Sequence, residues 1–319
     1  MKPCFLVVNK PVGLTSHDVV AIVRAVTGVK KVGHTGTLDP FATGVLPLAI
    51  GPATRLIQYL DEDLKVYDAT IQLGQETDTG DPTGEVVEEV PVPPLDLSLI
   101  EEATKGFLGD QMQTPPRYSA VKIKGKRLYR YAREGKEVDI PARPIRIDDI
   151  SVISFEGTQL RVRIECGRGT YARVLANDIA KALGTVGHLS ALERLQSGPF
   201  GLAQSIEMVD LAKIVADRTD WLAVLRPARG AERVQWAPRE QVRAGLQKWV
   251  RMPGQVLGHL ATLQLDSTQA SLLRSGGPPP PVSQKVQVGD LMLMLHEDSL
   301  VALARRQVDG VKVVRRFGK

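Results

Sequence analysis

Twelve residues, GHTGTLDPFATG over 33–44, gather the densest set of groups able to do chemistry. Three glycines, Thr35, Thr37, Thr43 and Pro40 make this an irregular, tightly turned loop. Its single carboxylate is Asp39, and Pro40 restricts the backbone behind it. Glycines let a planar ligand or a nucleic-acid backbone approach closely, so Asp39 is a candidate catalytic acid. An Asp before Pro is more commonly an Asx-turn residue, and the residue types alone leave both roles open. No Gly-Lys-Ser/Thr follows, so the loop is not a P-loop. His34 has no second His at metal-ligand spacing and no Gly-x-Ser-x-Gly elbow occurs, which disfavours zinc chemistry and a serine hydrolase. A second cluster, GRGTYAR over 167–173, leads from an alternating strand into a helix and places Tyr171 and Arg173 in the first helical turn. Arg173 is either a surface residue on a capped helix or a guanidinium at a sheet edge, aimed at a carboxylate or phosphate.

The elements that must position these groups can be read from periodicity. Residues 5–8 form a short buried strand. Thr15-Ser16 caps a helix with Val19, Ile22, Val23 and Val26 on one face and Gly28 at its end. Residues 45–50 form another buried strand. Residues 66–73 alternate, with Tyr67, Ala69, Ile71 and Leu73 inward, and 160–166 alternate with Leu160, Val162, Ile164 and Cys166 inward. A helix starting near Thr170 carries Val174, Leu175, Ile179, Ala182 and Leu183 on its apolar face and stops at Gly184. Half-buried strands mixed irregularly with few helices predict an α+β fold with a largely antiparallel sheet.

The chain has 319 residues, 43% hydrophobic and 24% charged, with a net charge of +5, an ordinary globular composition. Cys4 and Cys166 each sit in an apolar run as expected for reduced core thiols, which excludes a disulfide framework. The apolar start (5–8) is too short for a signal peptide, and no run approaches the roughly 20 apolar residues of a membrane span, so a cytoplasmic location without membrane contact is expected. Charge is segregated: residues 81–110 hold eight acids against Lys105, and residues 117–146 hold ten bases against three acids. The basic stretch is either a solvated face paired with the acidic one or, with Tyr118, Tyr129 and Tyr131 interleaved, a phosphate-binding surface. Residues 1–228 are expected to form the main domain. The stretch 229–257, rich in Arg, Gln, Gly and Pro, reads as a linker or insertion, and 258–319, with strands at 261–265, 287–296, 299–304 and 311–315, as a small β-domain.

Taken together, NKPVGLTSHD (9–18), GHTGTLDPFATGVLPLAIGPATRL (33–56), VYDATIQLGQETDTGDPTGE (66–85), QTPPRYSAVKIKGKRLYRYAREG (113–135) and CGRGTYARVLANDIAKALG (166–184) closely resemble the bacterial tRNA pseudouridine synthase B family (TruB). The resemblance covers about residues 5–225, and residues 265–317 resemble the family's small tail more loosely. It implies the pseudouridine synthase fold, a central mixed, mostly antiparallel sheet with flanking helices plus a C-terminal PUA-like β-domain. It implies isomerisation of the uridine at position 55 of the tRNA T-loop, without metal or organic cofactor. It assigns catalysis to Asp39. Substrate contacts fall on His34, on Tyr67 stacking on the base, on Tyr171 and Arg173 with Arg173 paired to Asp39, on Leu192 in the pocket wall, and on Lys10 and Pro11. Lys122, Lys124, Lys126, Arg127 and Arg130 become candidates for the RNA backbone. The expected partner is the tRNA T-arm, bound by a monomer without an obligatory protein or guide RNA. Leu192 is followed by Glu193 and then Arg194, where the family often has consecutive arginines, a departure that would weaken one phosphate contact.

Overall fold

The structure, a computed structural model, describes residues 2–61, 64–119, 121–225, 235–282 and 286–317. Among these a ten-stranded sheet forms the centre of the fold. Its main path runs Val250–Arg251, Cys4–Lys10, Thr43–Ile50, Gly187–Ser197, Lys65–Leu73, Gln159–Cys166, Arg143–Glu156, Gly109–Gln113, with Val32–His34 and Phe200–Gly201 paired at its side. All neighbours are antiparallel except Thr43–Ile50 and Gly187–Ser197, which run parallel. This is the expected α+β fold with a mixed, mostly antiparallel sheet.

The run Cys4–Val8 is apolar at every position because both faces of its strand are covered. Cys4, Leu6 and Val8 join the larger core with the helix Ser16–Thr27. Phe5 and Val7 face a second core, shared with Phe200 and with Leu293, Leu295, Leu303 and Phe317 of the C-terminal unit. The C-terminal strands Ala261–Gln264, Leu291–His296, Ser299–Gln307 and Gly310–Arg316 form a separate four-stranded sheet in that order. Met292, Met294, Ala302 and Ala304 line its other face and pack on Ala270 and Leu273 of a helix, Ser267–Arg274, that periodicity alone did not indicate.

The first helix starts as its sequence dictates. Thr15 and Asp18 form a reciprocal capping box, and Gly28 ends it in the left-handed region at φ 68°. The helix after the GRGTYAR cluster begins two residues later than expected, at Ala172, and runs to Ala182. Tyr171 is therefore its N-cap, outside the first turn, and Arg173 lies on the buried face while Ala182 is exposed. The expected linker 229–257 lies outside the described residues up to 234; beyond that it is folded. The helix Arg239–Gly245 buries Val242, Arg243 donates to Thr27 O at 3.0 and 3.3 Å, and Val250–Arg251 adds a strand beside Cys4–Lys10. Scattered polar residues hid this, because only one side of each short element is covered. Cys4 and Cys166 are buried and unpaired. No helix of the described residues is long and apolar enough to cross a membrane.

Gly44 is the position where the sheet depends on a missing side chain. Its φ is +100°, and a Cβ there would overlap the backbone of Arg194 on the parallel neighbour. Gly44→Ala is expected to cost about 2–4 kcal/mol, read as a lowered urea midpoint. An unchanged midpoint would contradict this close approach.

Candidate active site

A cleft of about 480 Å³ opens where the 34–40 loop, the start of the helix Ser16–Thr27, the strand Lys65–Leu73 and the turn 167–172 converge. Asp39, His34, Tyr67, Tyr171, Arg173 and Leu192 all line it. These residues are as much as 158 positions apart in sequence, from 34 to 192, and the sheet brings them together because the strands carrying Tyr67 and Leu192 are direct neighbours.

The loop carrying Asp39 has little regular structure, so its backbone must be held by other groups. Thr35 N donates to Pro47 O at 3.1 Å. The guanidinium of Arg194 donates to Gly36 O at 3.2 Å and Thr37 O at 3.3 Å. The Ser16 hydroxyl accepts from Leu38 N at 2.8 Å and donates to Leu38 O at 3.0 Å. Asp39 O accepts from Ala42 N at 3.2 Å. Pro40 O accepts from Gly13 N at 2.8 Å and from Lys10 Nζ at 3.4 Å. Every carbonyl from 36 to 40 thus has a donor, and the carboxylate is presented from a fixed turn.

Asp39 Oδ2 lies 2.9 Å from Arg173 Nε, and 35% of the Asp39 side chain remains exposed to the cleft. The arginine itself is buried. Its Nη1 donates to Thr79 O at 2.7 Å and faces Asp81 Oδ2 at 3.6 Å, and its Nη2 donates to Tyr118 O at 2.8 Å. Asp81 is fixed in turn: its Oδ1 accepts from Thr79 Oγ1, Thr83 N and Thr83 Oγ1 at 2.6–3.0 Å. Burial raises the Asp39 carboxyl above its ordinary value, while the Arg173 charge opposes the rise and Asp81 adds to it. Tyr171 is held by a buried amide, since Gln113 Oε1 accepts from Tyr171 N at 2.8 Å and Gln113 Nε2 donates to Tyr171 O at 3.2 Å.

Tyr67 is half-buried against the main core. Burial raises its phenol, and the nearby charge of Arg194 opposes this. Leu192 is 8% exposed and contributes the apolar wall. His34 has a buried Nδ1 with no partner. Burial, followed by the charges of His17, Arg194 and Arg127, lowers its pKa and favours the neutral imidazole.

Lys10 and Pro11 do not line the cleft. Lys10 is completely buried beneath the loop and donates to Pro11 O at 3.0 Å and Leu14 O at 2.8 Å, in addition to Pro40 O. Of the basic candidates only Arg127 reaches the cleft. Lys126 pairs with Glu134 and sits 4.6 Å from the Tyr131 ring centroid. Lys122, Lys124 and Arg130 are exposed, with Lys124 and Gly125 (φ 49° and 81°) forming the tip of a two-residue hairpin turn. The side chains of Tyr129 and Arg133 lie outside the described residues. A face in which the basic stretch is neutralised by the acidic one is not seen: among the described residues only Arg146–Asp110, at 3.8 Å, links them.

Sequence reasoning missed four groups. Arg194, at 1% exposure, is buried, so it is not a free phosphate ligand. Lys65 is buried, lines the cleft and donates to Ser197 Oγ at 2.8 Å. Ser16 was visible only as part of a helix cap, and Asp81 only as one acid among eight. The repeated Thr and Gly of DTGDPTG over 78–84 were the available sign that Asp81 sits in a structured turn. Among the described residues no group of three or more His, Cys, Asp or Glu is placed to hold a metal ion.

Burial pushes the Lys10 amine down to about 8 from an ordinary 10.5, with Asp39 opposing. The unfolded chain keeps this proton to higher pH than the fold does, so stability linked to Lys10 rises between about pH 8 and 10.5. Wild type is therefore expected to gain stability over Lys10→Met across that window in urea titrations. Parallel curves would contradict the buried, depressed amine.

Known proteins share both the sequence and the fold that build this geometry. A family profile described as TruB family pseudouridylate synthase (N terminal domain) matches residues 24–172, and one described as tRNA pseudouridylate synthase B C-terminal domain matches 173–231. A Psychrobacter cryohalolentis protein named tRNA pseudouridine synthase B is 50% identical over 212 residues, 65% of this chain and 59% of that protein. A Geobacter sulfurreducens protein of the same name is 45% identical over 244 residues, 72% of this chain and 80% of that one. Among solved structures, the Cbf5-Nop10-Gar1 complex contains a chain that superposes with a TM-score of 0.67 at 26% identity, covering 98% of this chain and 84% of that one. A carboxylate loop, a buried arginine and an aromatic strand residue assembled on this sheet, with matches running through all three, place the chain in the TruB family of pseudouridylate synthases.

Proposed function

We propose that this protein isomerises uridine to pseudouridine in the T-loop of tRNA, at position 55, with Asp39 as the reacting carboxylate. The observation that carries this reading is Asp39 itself, open to a nucleotide-sized cleft and paired to a buried arginine. The reaction breaks the N1–C1′ bond, turns the base and joins C5 to C1′; the proton on C5 is then lost and N1 takes one up, so substrate and product are isomers. No group enters or leaves, so one carboxylate suffices to attack C1′ or to assist departure and return of the uracil anion. Arg173 keeps that carboxylate ionised against the desolvation of the pocket. A base stacked within folded RNA must be extruded to reach Asp39, and Tyr67 and Leu192, which line the cleft from neighbouring strands, supply an aromatic ring and an apolar wall for a planar pyrimidine. Neutral His34 and Arg127 stand at the same cleft, suited to the looped-out nucleotide and its phosphate.

The surface around the hairpin tip supports RNA as the partner. Lys122, Lys124 and Arg130 are exposed and form no ion pair among the described residues, so their charge is free for phosphates. Lys10 acts beneath the loop and does not touch RNA in this reading. The protein works on bare tRNA in the cytoplasm, as a monomer without a guide RNA or protein helper. A noncatalytic RNA-binding module would have no use for a carboxylate held this rigidly.

Chemical mapping of a T-arm transcript incubated with purified protein tests the reading. Pseudouridine at position 55 is expected without helpers; an unmodified transcript, or one requiring helpers, would overturn it. Asp39→Asn is expected to lower the single-turnover rate by about 10⁴-fold or more while tRNA affinity stays within about threefold. Residual turnover near wild type would remove Asp39 from the chemistry. Lys122→Ala with Lys124→Ala and Arg130→Ala should weaken all tRNAs alike and reduce the salt slope by about 1 for each phosphate no longer neutralised. A wild-type slope would return these residues to an ordinary solvated face.

A further inference from the structure

Arg194 is the bulkiest of the side chains buried to below 2% exposure, and no carboxylate lies within ion-pair distance of it among the described residues. A buried cation without a carboxylate partner is costly, and a strand position with only a packing role is better filled by an apolar residue. What surrounds Arg194 is the machinery of the cleft. On the strand Gly187–Ser197 it lies in register with Gly44 on one side and Tyr67 on the other. The bare Gly44 lets the two strands close. Arg194 Nε donates to Val45 O at 2.8 Å, Nη1 to Thr37 O at 3.3 Å and Nη2 to Gly36 O at 3.2 Å, while its backbone pairs with that of Tyr67.

We propose that Arg194 is a positioning residue for the isomerisation: its planar guanidinium registers the turn that carries Asp39 against the ring of Tyr67, so that carboxylate and stacking face keep one separation while the base turns between them. This rests on the function proposed above and assigns to Arg194 the geometry on which that function depends. The guanidinium has fixed angles between its donors, so an arginine that binds three carbonyls and pairs through its own backbone with Tyr67 fixes the relative place of three segments. A lysine ammonium could occupy the site and keep the charge, but as a point on a flexible stem it would not hold the segments in register. The Asp39 loop has no helix or sheet of its own to maintain that distance. A misplacement of about 1 Å at a reacting centre costs about 10²-fold in rate.

The test compares wild type, Arg194→Lys, Tyr67→Phe, the double variant Arg194→Lys/Tyr67→Phe and Leu160→Ala. The last is a buried substitution in the sheet, away from the residues lining the cleft, and serves as a stability control. Single-turnover pseudouridine formation and affinity are measured on the T-arm transcript, with urea midpoints for each protein. Arg194→Lys is expected to bind RNA within about threefold of wild type and react about 10²-fold more slowly. Leu160→Ala, with an equal or lower midpoint, should keep its rate within about threefold. Adding Tyr67→Phe to Arg194→Lys should cost less than Tyr67→Phe costs alone, because the register between the Asp39 turn and residue 67 is already lost. A wild-type rate in Arg194→Lys, a rate loss matched by Leu160→Ala, or additive losses would overturn the proposal. If Arg194→Lys fails to fold, Arg194→Gln decides: it cannot reach all three carbonyls at once, so it should bind RNA within about threefold of wild type and react about 10²-fold more slowly, and a wild-type rate would overturn the proposal. Wild-type protein inactive on the transcript would overturn the functional reading and this inference together, whereas active wild type with an unaffected Arg194→Lys overturns this inference alone.

Discussion

A carboxylate and a guanidinium 2.9 Å apart, one open to the cleft and the other buried, set the conditions for everything around them. In the proposed reaction Asp39 has to stay ionised despite its burial, and it has to keep an oxygen free for the substrate. Arg173 meets both demands because it approaches through Nε, contacts a single carboxylate oxygen and spends its remaining donors on Thr79 O, Tyr118 O and the Asp81 side. A guanidinium held from that many directions cannot follow the carboxylate if it swings. The pair therefore fixes the position of Asp39 as well as its charge. Tyr118 O also ties the start of the basic stretch to the same arginine.

The second constraint is the shape of the loop. A turn that exposes a carboxylate at a sheet edge gives up regular backbone hydrogen bonding, and each carbonyl has to be satisfied in some other way. The fold does this with side chains that are themselves buried: Ser16 from the first helix, Lys10 from the first strand and Arg194 from the parallel neighbour. Beneath and beside the Asp39 turn, Lys10, Arg173 and Arg194 set three cations against the carboxylates of Asp39 and Asp81. That arrangement is unfavourable for an empty core and favourable for chemistry in which a base departs as an anion. Here the fold gives up stability locally for a preset site, and the strongly apolar sheet on either side offsets the cost.

Much of this was legible in the residues. Capping Thr15 with Asp18, the left-handed Gly28 and the alternation over 66–73 and 160–166 are local signals, and local physics determines them. The GHTGTLDPFATG loop stood out as a tight, irregular turn with one carboxylate, although its residue types alone left a catalytic and an Asx-turn role for Asp39 open. What could not be read locally were the roles set by partners distant in the chain. Arg194 looks like one more strand residue until Gly44 and Tyr67 are placed beside it. The resemblance assigned Lys10 a substrate contact, and its place beneath the loop, held by three carbonyls, follows only from segments distant in the chain. Residues 239–257 looked like a linker because short elements covered on one side leave no periodicity. Fold class follows from local patterns; the inner supports of the site follow from tertiary contacts.

The pH dependence of the single-turnover rate on the T-arm transcript tests the central claim most directly, namely that ionised Asp39, buried and restrained by Arg173, is the reacting group. Because burial raises this carboxyl, the rate should fall through one ionisation above the ordinary aspartate value of about 3.9, and Arg173→Met should move that limb to higher pH. An acid limb that stays in place when Arg173 is replaced would contradict the account.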